Sequence, residues 1–138
     1  MNYWLMKSEP GTWSWEDQLR AGVAEWDGVR NHQAANNMKA MKNGDQAFFY
    51  HSGKGREIVG IVEVVGEYHP DPTDESERFG MVSVKAVETL LNPVSLKTIK
   101  ADERLAQLPL VRQPRLSVMP VDGESWRRIR ELGGLTTT

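Results

Sequence analysis

The chain has 138 residues, 39% of them hydrophobic and 26% charged, which is typical of one compact globular domain spanning residues 1–138. It contains no cysteine, which excludes disulfides and thiolate metal sites and fits a reducing compartment. The formal net charge of −2 argues against a protein that coats nucleic acid by bulk electrostatics, although it permits a site that holds one base and a few phosphates.

The sequence predicts neither export nor a membrane location. Met1 runs directly into a strand-like segment, without the basic start and apolar core of a secretory signal. The longest apolar runs are far shorter than the roughly 20 residues that a membrane helix needs. We therefore expect a cytoplasmic protein without membrane contact.

The N-terminal part of the sequence predicts one strand followed by two helices. Asn2–Lys7 is aromatic and apolar, as in a short strand. Ser14, with Asp17 three residues later, is the pattern of a capped helix start, and Gly22 ends that helix. A second helix begins at Asn31. The apolar faces of the two helices carry Trp15 and Leu19, and Ala34, Met38 and Met41.

The rest of the sequence predicts four strands and two helices. Gly60 and Gly66 lie inside one strand, where a curved sheet bends or a neighbour comes close. Ser95 and Asp122 each begin a helix. Residues 70–78 are polar and rich in turn formers, so we expect an exposed loop there. The four strands are Gln46–Tyr50, Ile58–Tyr68, Met81–Thr89 and Leu116–Val121.

This order of elements predicts the fold class. Helices occupy the ends and the crossovers, and mostly antiparallel strands lie between them, which favours an α+β fold. We expect a small, strongly bent β-barrel flanked by short helices. Gly53-Lys54-Gly55 lacks the length and the following Ser or Thr of a phosphate loop, and it predicts a hairpin turn between two strands.

Trp26–Asn31 (WDGVRN) is the segment richest in binding chemistry. A tryptophan beside a tight turn provides a flat surface on which a base stacks, worth about 1–3 kcal/mol. The amide of Asn31 is suited to pair with a base edge, and Arg30 supplies further donors. The alternative is structural, with Trp26 anchoring the core and Asn31 capping the helix that follows.

Two further clusters lie where predicted strands end, which is where small barrels place ligand contacts. Lys7–Glu9 closes the first strand and Tyr50–Ser52 closes a buried one. Because side chains alternate along a strand, His51 should point away from the face that Tyr50 and Ser52 share. The alternative is that both clusters only close turns and satisfy backbone groups.

The motifs of catalysis and metal binding are missing from the sequence. No G-x-S-x-G sequence surrounds Ser8 or Ser52, which argues against a nucleophilic serine. The histidines His32, His51 and His69 lack the spacing of a metal site. We therefore predict no enzyme, no metal and no cofactor.

Five arginines are candidates for a local basic face on this nearly neutral chain. The alternative is that they are ordinary solvated charges, as most arginines on a helix are. They are Arg112, Arg115, Arg127, Arg128 and Arg130.

Three long segments of the sequence resemble the EVE family. They are YWLMKSEP (3–10), WDGVRNHQAANNMKAMKNGDQAFFYHS (26–52) and RQPRLSVMPV (112–121), in the order and spacing of that family. The family includes the thymocyte nuclear protein group, belongs to the PUA-like superfamily and is related to the YTH domains, which read a methylated adenine through an aromatic cage. The resemblance implies a PUA-like fold and a non-catalytic reader of a modified cytosine or adenine in DNA or RNA.

Carried over position by position, the resemblance assigns roles to ten residues. Trp26 becomes the stacking wall, and Lys7 and Ser8 contact the base edge or the backbone. Val29, Arg30 and Asn31 continue round the pocket, Tyr50 and Ser52 face the first strand, and Pro114 and Arg115 form a rim beside the phosphates.

Two rival functions remain open. Some PUA-like relatives use a similar pocket for deacylation with a lysine, a small hydroxyl residue and a glutamate, which Lys7, Ser8 and Glu9 resemble in type. That favours a hydrolase of a modified nucleoside, although consecutive residues of an extended segment alternate faces. The other rival is a protein-interaction module, which the pI near 5.9 permits.

As a reader, the chain is expected to be a monomer whose effector activity comes from a partner nuclease or helicase.

Overall fold

The computed structural model describes residues 1–135. Among them, no helix combines the length and the apolar character needed to cross a membrane. A 3₁₀ turn, Glu103–Leu105, lies between the third and fourth helices. The elements follow in the order β1 (Tyr3–Ser8), α1 (Trp15–Ala21), β2 (Val23–Trp26), α2 (His32–Ala40), β3 (Gln46–His51), β4 (Glu57–Pro70), β5 (Gly80–Ser95), α3 (Leu96–Ala101), α4 (Pro109–Arg112), β6 (Val118–Val121) and α5 (Gly123–Leu132).

The six strands within residues 1–135 form one sheet in the order β2-β5-β4-β3-β1-β6. Strands β1 and β3 run parallel, and every other neighbouring pair runs antiparallel. The predicted α+β, mostly antiparallel fold is therefore confirmed. The sheet is not closed, because β2 and β6 lie at opposite edges, whereas a barrel requires its edge strands to pair. In place of the expected barrel, the structure has an open sheet with short helices.

Strand β4 changes register against β5 at four points. The register shifts include the positions of Gly60 and Gly66, and bulges of this kind increase the local twist. A Cβ atom at Gly60 would overlap the Trp15 ring, and one at Gly66 would lie 2.6 Å from the Ser83 hydroxyl oxygen. Both glycines therefore serve the close approaches that the sequence predicts for them.

Side-chain caps begin four of the helices, as predicted. The Ser14 hydroxyl accepts a hydrogen bond from the Asp17 amide, while the Asp17 carboxylate accepts one from the Ser14 amide. Asn31, Ser95 and Asp122 cap α2, α3 and α5, each accepting from the amide three residues later. Each cap of this type stabilises its helix by about 1 kcal/mol.

Helix α1 packs differently from its prediction. Trp15 is buried as expected, but Leu19 is 49% exposed and Gln18 is buried instead. The Gln18 side-chain nitrogen donates to the carbonyls of Gly22 and Val84. These hydrogen bonds replace those that the amide would make to water. The position three residues after Trp15, and not the one four residues after it, therefore faces the sheet.

Strand β2 and helix α4 are not predicted by the sequence. A four-residue segment is too short for periodicity to mark it. Strand β2 forms because it pairs with β5, with Ala24 opposite Val84 and Trp26 opposite Val82. That pairing holds Trp26 at the end of an edge strand, where it takes part in the site described next.

Candidate functional site

A cavity of about 590 Å³ lies beside the end of β1 and along β2. We call it the tryptophan cavity, because two indole rings contribute to its wall. Its lining combines aromatic, small apolar and charged side chains, as expected for a pocket that binds and orients a small group. The residues are Lys7, Ser8, Glu9, Thr12, Trp13, Ala21, Val23, Ala24, Glu25, Trp26 and Asp27.

Trp26 is the more buried of the two tryptophans in this wall. The side chain is only 8% exposed, and its ring meets Phe49 edge to face, with 5.5 Å between centroids and an interplanar angle of 86°. This packing holds the indole in one orientation. The structure thus combines the two interpretations of Trp26, since the residue both belongs to the core and lines the cavity.

Trp13 lines the same cavity, although the sequence does not predict it as a site residue. It is partly buried, and its indole nitrogen donates to the Gln18 side-chain oxygen at 2.9 Å. Trp13 immediately precedes the cap residue Ser14, and Gln18 is the fourth residue of α1. Side chains at these two positions commonly contact each other at the start of a helix. The five-residue spacing of Trp13 and Gln18 around Ser14 is therefore the sequence pattern that predicts a fixed position for Trp13.

Lys7, Ser8 and Glu9 all line the tryptophan cavity. Their expected alternation fails because β1 ends at Ser8, after which the chain turns with the Trp13 amide donating to the Glu9 carbonyl. The Ser8 hydroxyl donates to the Trp13 carbonyl at 2.6 Å, and the Lys7 ammonium donates to the Pro114 carbonyl at 2.8 Å. Burial lowers the pKa of Lys7.

Three carboxylates, those of Glu9, Glu25 and Asp27, also line the cavity. Glu25 is held from both sides, since it lies 2.9 Å from His69 Nε2 and accepts from the Ser83 hydroxyl at 2.8 Å. The pKa of His69 is raised, first by its hydrogen bond to the Glu67 carbonyl and then by Glu25. The tryptophan cavity therefore has an acidic side.

Tyr50, Ser52 and Pro114 line a second, smaller cavity of about 250 Å³, which also includes Lys7. We call it the hairpin cavity, because it borders the turn between β3 and β4. Burial raises the pKa of Tyr50. His51 lies outside this lining, and its Nε2 accepts from the Trp15 amide at 3.0 Å, so the predicted alternation of this strand end is confirmed.

Val29, Arg30 and Asn31 line neither of these two cavities. Val29 is buried in the core, and the Asn31 side chain accepts from the Ala34 amide at 2.9 Å as the cap of α2. Arg30 pairs with Asp71 at 3.1 Å. Contacts of these three residues with a ligand stay predictions.

Arg115 is exposed beside Pro114. No described contact ties it to either cavity, and its place at a phosphate-binding rim stays a prediction.

The polar segment 70–78 is not the wholly exposed loop that the sequence predicts. Asp71 and Asp74 are buried, and Asp71 accepts from the Gly28 amide at 2.9 Å. Burial alone would raise the pKa of Asp71, but hydrogen bonds from Thr73, Gly28 and Arg30 outweigh it and lower that pKa strongly. Asp71 therefore ties this loop to the segment that follows Trp26, whereas the Asp74 carboxylate accepts, among the described residues, only from residues 76–79.

Within residues 1–135, no group of three or more His, Cys, Asp or Glu side chains is arranged to hold a metal ion.

Comparison with known proteins gives concordant matches. Thymocyte nuclear protein 1 of Rattus norvegicus is 36% identical over 170 residues, covering 95% of this chain and 73% of that protein. A crystal structure of a protein from Agrobacterium tumefaciens is 50% identical, with a TM-score of 0.97 over 100% of this chain and 97% of the other. The human THYN1 protein, in complex with DNA containing 5-methylcytosine, is 32% identical, with a TM-score of 0.90 over 99% and 100% of the two chains.

The YTH domain of a Zygosaccharomyces rouxii protein shares the fold alone, at 11% identity and a TM-score of 0.62 over 99% and 88% of the two chains. The model of the EVE domain family matches residues 2–132, nearly the whole sequence. This chain is therefore a member of the EVE domain family.

Proposed function

We propose that this protein is a non-catalytic reader, which takes one modified base of DNA or RNA into the tryptophan cavity. The observation that carries the proposal is that Trp13 and Trp26 line one cavity of about 590 Å³ at a strand end. Ligand pockets commonly measure about 300–1,000 Å³, which accommodates a base and part of its sugar. The human THYN1 protein, which this chain matches over 99% of its length, has a structure in complex with DNA containing 5-methylcytosine.

The two indole rings supply the affinity that does not depend on base identity. Stacking on an aromatic side chain contributes about 1–3 kcal/mol per base, because every base has a π-face. Trp26 is fixed edge to face against Phe49, and Trp13 is fixed by its hydrogen bond to Gln18. A base that stacks on either ring meets a surface that is already oriented, so little side-chain entropy is lost on binding.

The carboxylates supply the selectivity among bases. Glu9 and Asp27 are exposed and line the cavity. Carboxylates accept hydrogen bonds from the exocyclic amino group of cytosine, and the amino group of adenine is a donor of the same kind. The acidic side of the cavity therefore favours cytosine or adenine over thymine, which has no amino group.

Small apolar residues supply the selectivity for the modification. Ala21, Val23 and Ala24 line the cavity beside the tryptophans. A methyl group that fills an apolar corner improves binding by about 1–3 kcal/mol, or roughly 10- to 200-fold.

Extracting a base from a duplex costs a few kcal/mol, so a lone cavity favours a base that is already unstacked.

The rival hydrolase function has one observation in its favour, namely that Lys7, Ser8 and Glu9 all line the cavity. Against it, the Ser8 hydroxyl donates to the Trp13 carbonyl and the Lys7 ammonium to the Pro114 carbonyl. A nucleophilic serine needs a base that accepts its proton, and here the proton is directed to a carbonyl. Incubation with acylated cytidines distinguishes the two functions, since a hydrolase releases the free nucleoside and a reader does not.

The test of the reader function is fluorescence anisotropy with labelled single strands that contain one 5-methylcytosine or one cytosine at the same place. We expect the wild type to prefer the methylated strand by roughly tenfold or more. Both Trp13→Ala and Trp26→Ala should bind it about 5- to 150-fold more weakly, as loss of 1–3 kcal/mol of stacking requires.

The matched control is Leu91→Ala, which truncates a side chain that is 74% exposed and lies outside the tryptophan cavity. It should bind both strands as the wild type does. If Trp26→Ala also binds as tightly as the wild type while its circular dichroism spectrum is unchanged, this function is wrong.

The cytoplasmic location, the monomeric state and the partner nuclease or helicase remain proposals that rest on the sequence. Of these, a partner is the one that a reader requires, because recognition alone changes no bond in the nucleic acid.

A further inference from the structure

We propose that the strand carrying the read base leaves the tryptophan cavity over the β3–β4 hairpin and lays its phosphates along a track of four cations. This inference rests on the proposed reader function and adds the path of the nucleic-acid backbone. The four cations are Lys7, Arg56, Lys97 and Lys100.

Three adjoining depressions trace this path. The tryptophan cavity and the hairpin cavity share Lys7. The hairpin cavity in turn shares Arg56 and Leu96 with a third depression of about 390 Å³, here called the α3 groove, which also includes Lys97 and Lys100. A strand that follows the three depressions therefore passes all four cations in order.

The backbone holds the middle of the track in a fixed position. The Leu96 amide donates to the Arg56 carbonyl at 2.8 Å, and Glu57 pairs with Ser95 directly alongside. The hairpin and the start of α3 are thus joined as one unit. Arg56 has a φ of 40°, in the left-handed region that is uncommon for residues other than glycine. Its Nε donates to the Gly53 carbonyl, so the guanidinium is anchored on one side, with both terminal NH₂ groups unbonded among the described residues.

The charges along the track suit phosphates. Among the described residues, no carboxylate lines the hairpin cavity or the α3 groove, whereas three carboxylates line the tryptophan cavity. Within residues 1–135, Arg56, Lys97 and Lys100 form no ion pair. The acidic side of the site therefore faces the base, and the basic side faces the backbone of the strand.

The arginines of α5 are arranged differently from these cations. Arg128 pairs with Asp102 at 2.8 Å, and Arg130 pairs with Glu88 at 3.1 Å. Arg127 lines a depression together with Glu124 and Glu131. The part of the predicted basic face that lies on α5 is thus largely neutralised, whereas Arg56, Lys97 and Lys100 form no ion pair among residues 1–135.

The experiment compares Lys97→Ala/Lys100→Ala with the wild type by anisotropy across a salt series. The probes are labelled thymidine strands with a single 5-methylcytosine at the 5′ end or at the 3′ end. For one of the two polarities, the double variant should bind on the order of tenfold more weakly at 0.1 M salt. The slope of log affinity against log salt should become less negative by about 1.4, since each of the two lost phosphate contacts on a single strand accounts for about 0.7.

Two controls make the result specific to the track. Lys39→Ala/Lys42→Ala removes the same charge in the last turn of α2 and just after it, at exposed lysines outside all three depressions, and should keep the wild-type slope. The nucleoside 5-methyl-2′-deoxycytidine, which has no phosphate, should compete for Lys97→Ala/Lys100→Ala as it does for the wild type.

The outcomes separate the track from the reader function. An equal loss in both double variants, or an unchanged slope in Lys97→Ala/Lys100→Ala, overturns the track and leaves the reader function standing. A weaker salt dependence in Lys97→Ala/Lys100→Ala, combined with equal wild-type affinity for methylated and unmethylated strands, overturns the reader function and with it the path from the tryptophan cavity. Failure of any strand to bind at low salt overturns both.

Discussion

Trp26 and Trp13 have different relations to the core, although both line the same cavity. Trp26 is 8% exposed and packs on Phe49, so its removal affects both the core and the site. Trp13 is only partly buried against the core, and its indole nitrogen donates to Gln18. Loss of binding in Trp13→Ala is therefore the cleaner sign of stacking, because less of the core is disturbed.

The packing of α1 against the sheet depends on the absence of a side chain at Gly60. A Cβ atom at this position would overlap the Trp15 ring, whose indole nitrogen donates to the Thr89 hydroxyl. We expect Gly60→Ala to lower the free energy of unfolding by about 1–3 kcal/mol, as overpacking of a core does. Urea denaturation measures the change. Gly11→Ala is the control, since a Cβ at Gly11 meets no atom within 4 Å; equal stability of the two variants would contradict the argument.

The edge strand β2 is held by more than its pairing with β5. Glu25 on β2 accepts from Ser83 on β5 and contacts His69 on β4, so one carboxylate links three neighbouring strands. Asp71 fixes the chain just after β2 by accepting from the Gly28 amide. These two carboxylates hold the β2 side of the tryptophan cavity in place.

The His69 contact makes this support dependent on pH. The folded pKa of His69 is raised, chiefly by its hydrogen bond to the Glu67 carbonyl and also by Glu25. A raised folded pKa contributes stability that is complete below the unfolded value of about 6.5 and is lost as pH rises through the folded pKa. The stability difference between wild type and His69→Gln should therefore be larger at pH 5.5 than at pH 9.

Urea unfolding of both proteins at the two pH values measures this difference. Comparison with His69→Gln is needed because burial lowers the pKa of His51, whose contribution to stability changes with pH in the opposite direction. A stability difference that is the same at both pH values would show that His69 does not titrate against Glu25.

The charge distribution of the whole molecule is more informative than its net charge of −2. Carboxylates gather at the tryptophan cavity, while cations lie on the hairpin and α3. A ligand that is neutral at one end and anionic along its length fits this separation. Binding is then expected to combine a salt-independent part from the base with a salt-dependent part from a few phosphates.

The wild-type protein should therefore show a moderate salt dependence. Three or four phosphate contacts on a single strand predict a slope of log affinity against log salt of about −2 to −3. Anisotropy titrations between 50 and 500 mM salt measure it. A slope near zero would mean that only the base is held, and a slope much steeper than −3 would indicate binding along the backbone without a base-specific site.

Much of the local structure follows from short-range patterns in the sequence. The caps at Ser14, Asn31, Ser95 and Asp122 were identifiable because a side-chain oxygen satisfies an amide three residues away. The alternation that turns His51 away from its neighbours was identifiable because a strand has a period of two. The family was identifiable because three long segments occur in one order and spacing.

What the sequence by itself determined is thus most of the elements, although not β2 or α4, together with the family and the candidate strand ends that carry binding chemistry. Only the tertiary structure decided that the sheet stays open, that β2 exists and that Trp13, Glu25 and Asp27 line the same cavity as Trp26. The reason is physical. Caps and alternation depend on neighbours within a few residues, whereas edge pairing, burial of Asp71 and the lining of a cavity depend on contacts between residues that are far apart in the chain.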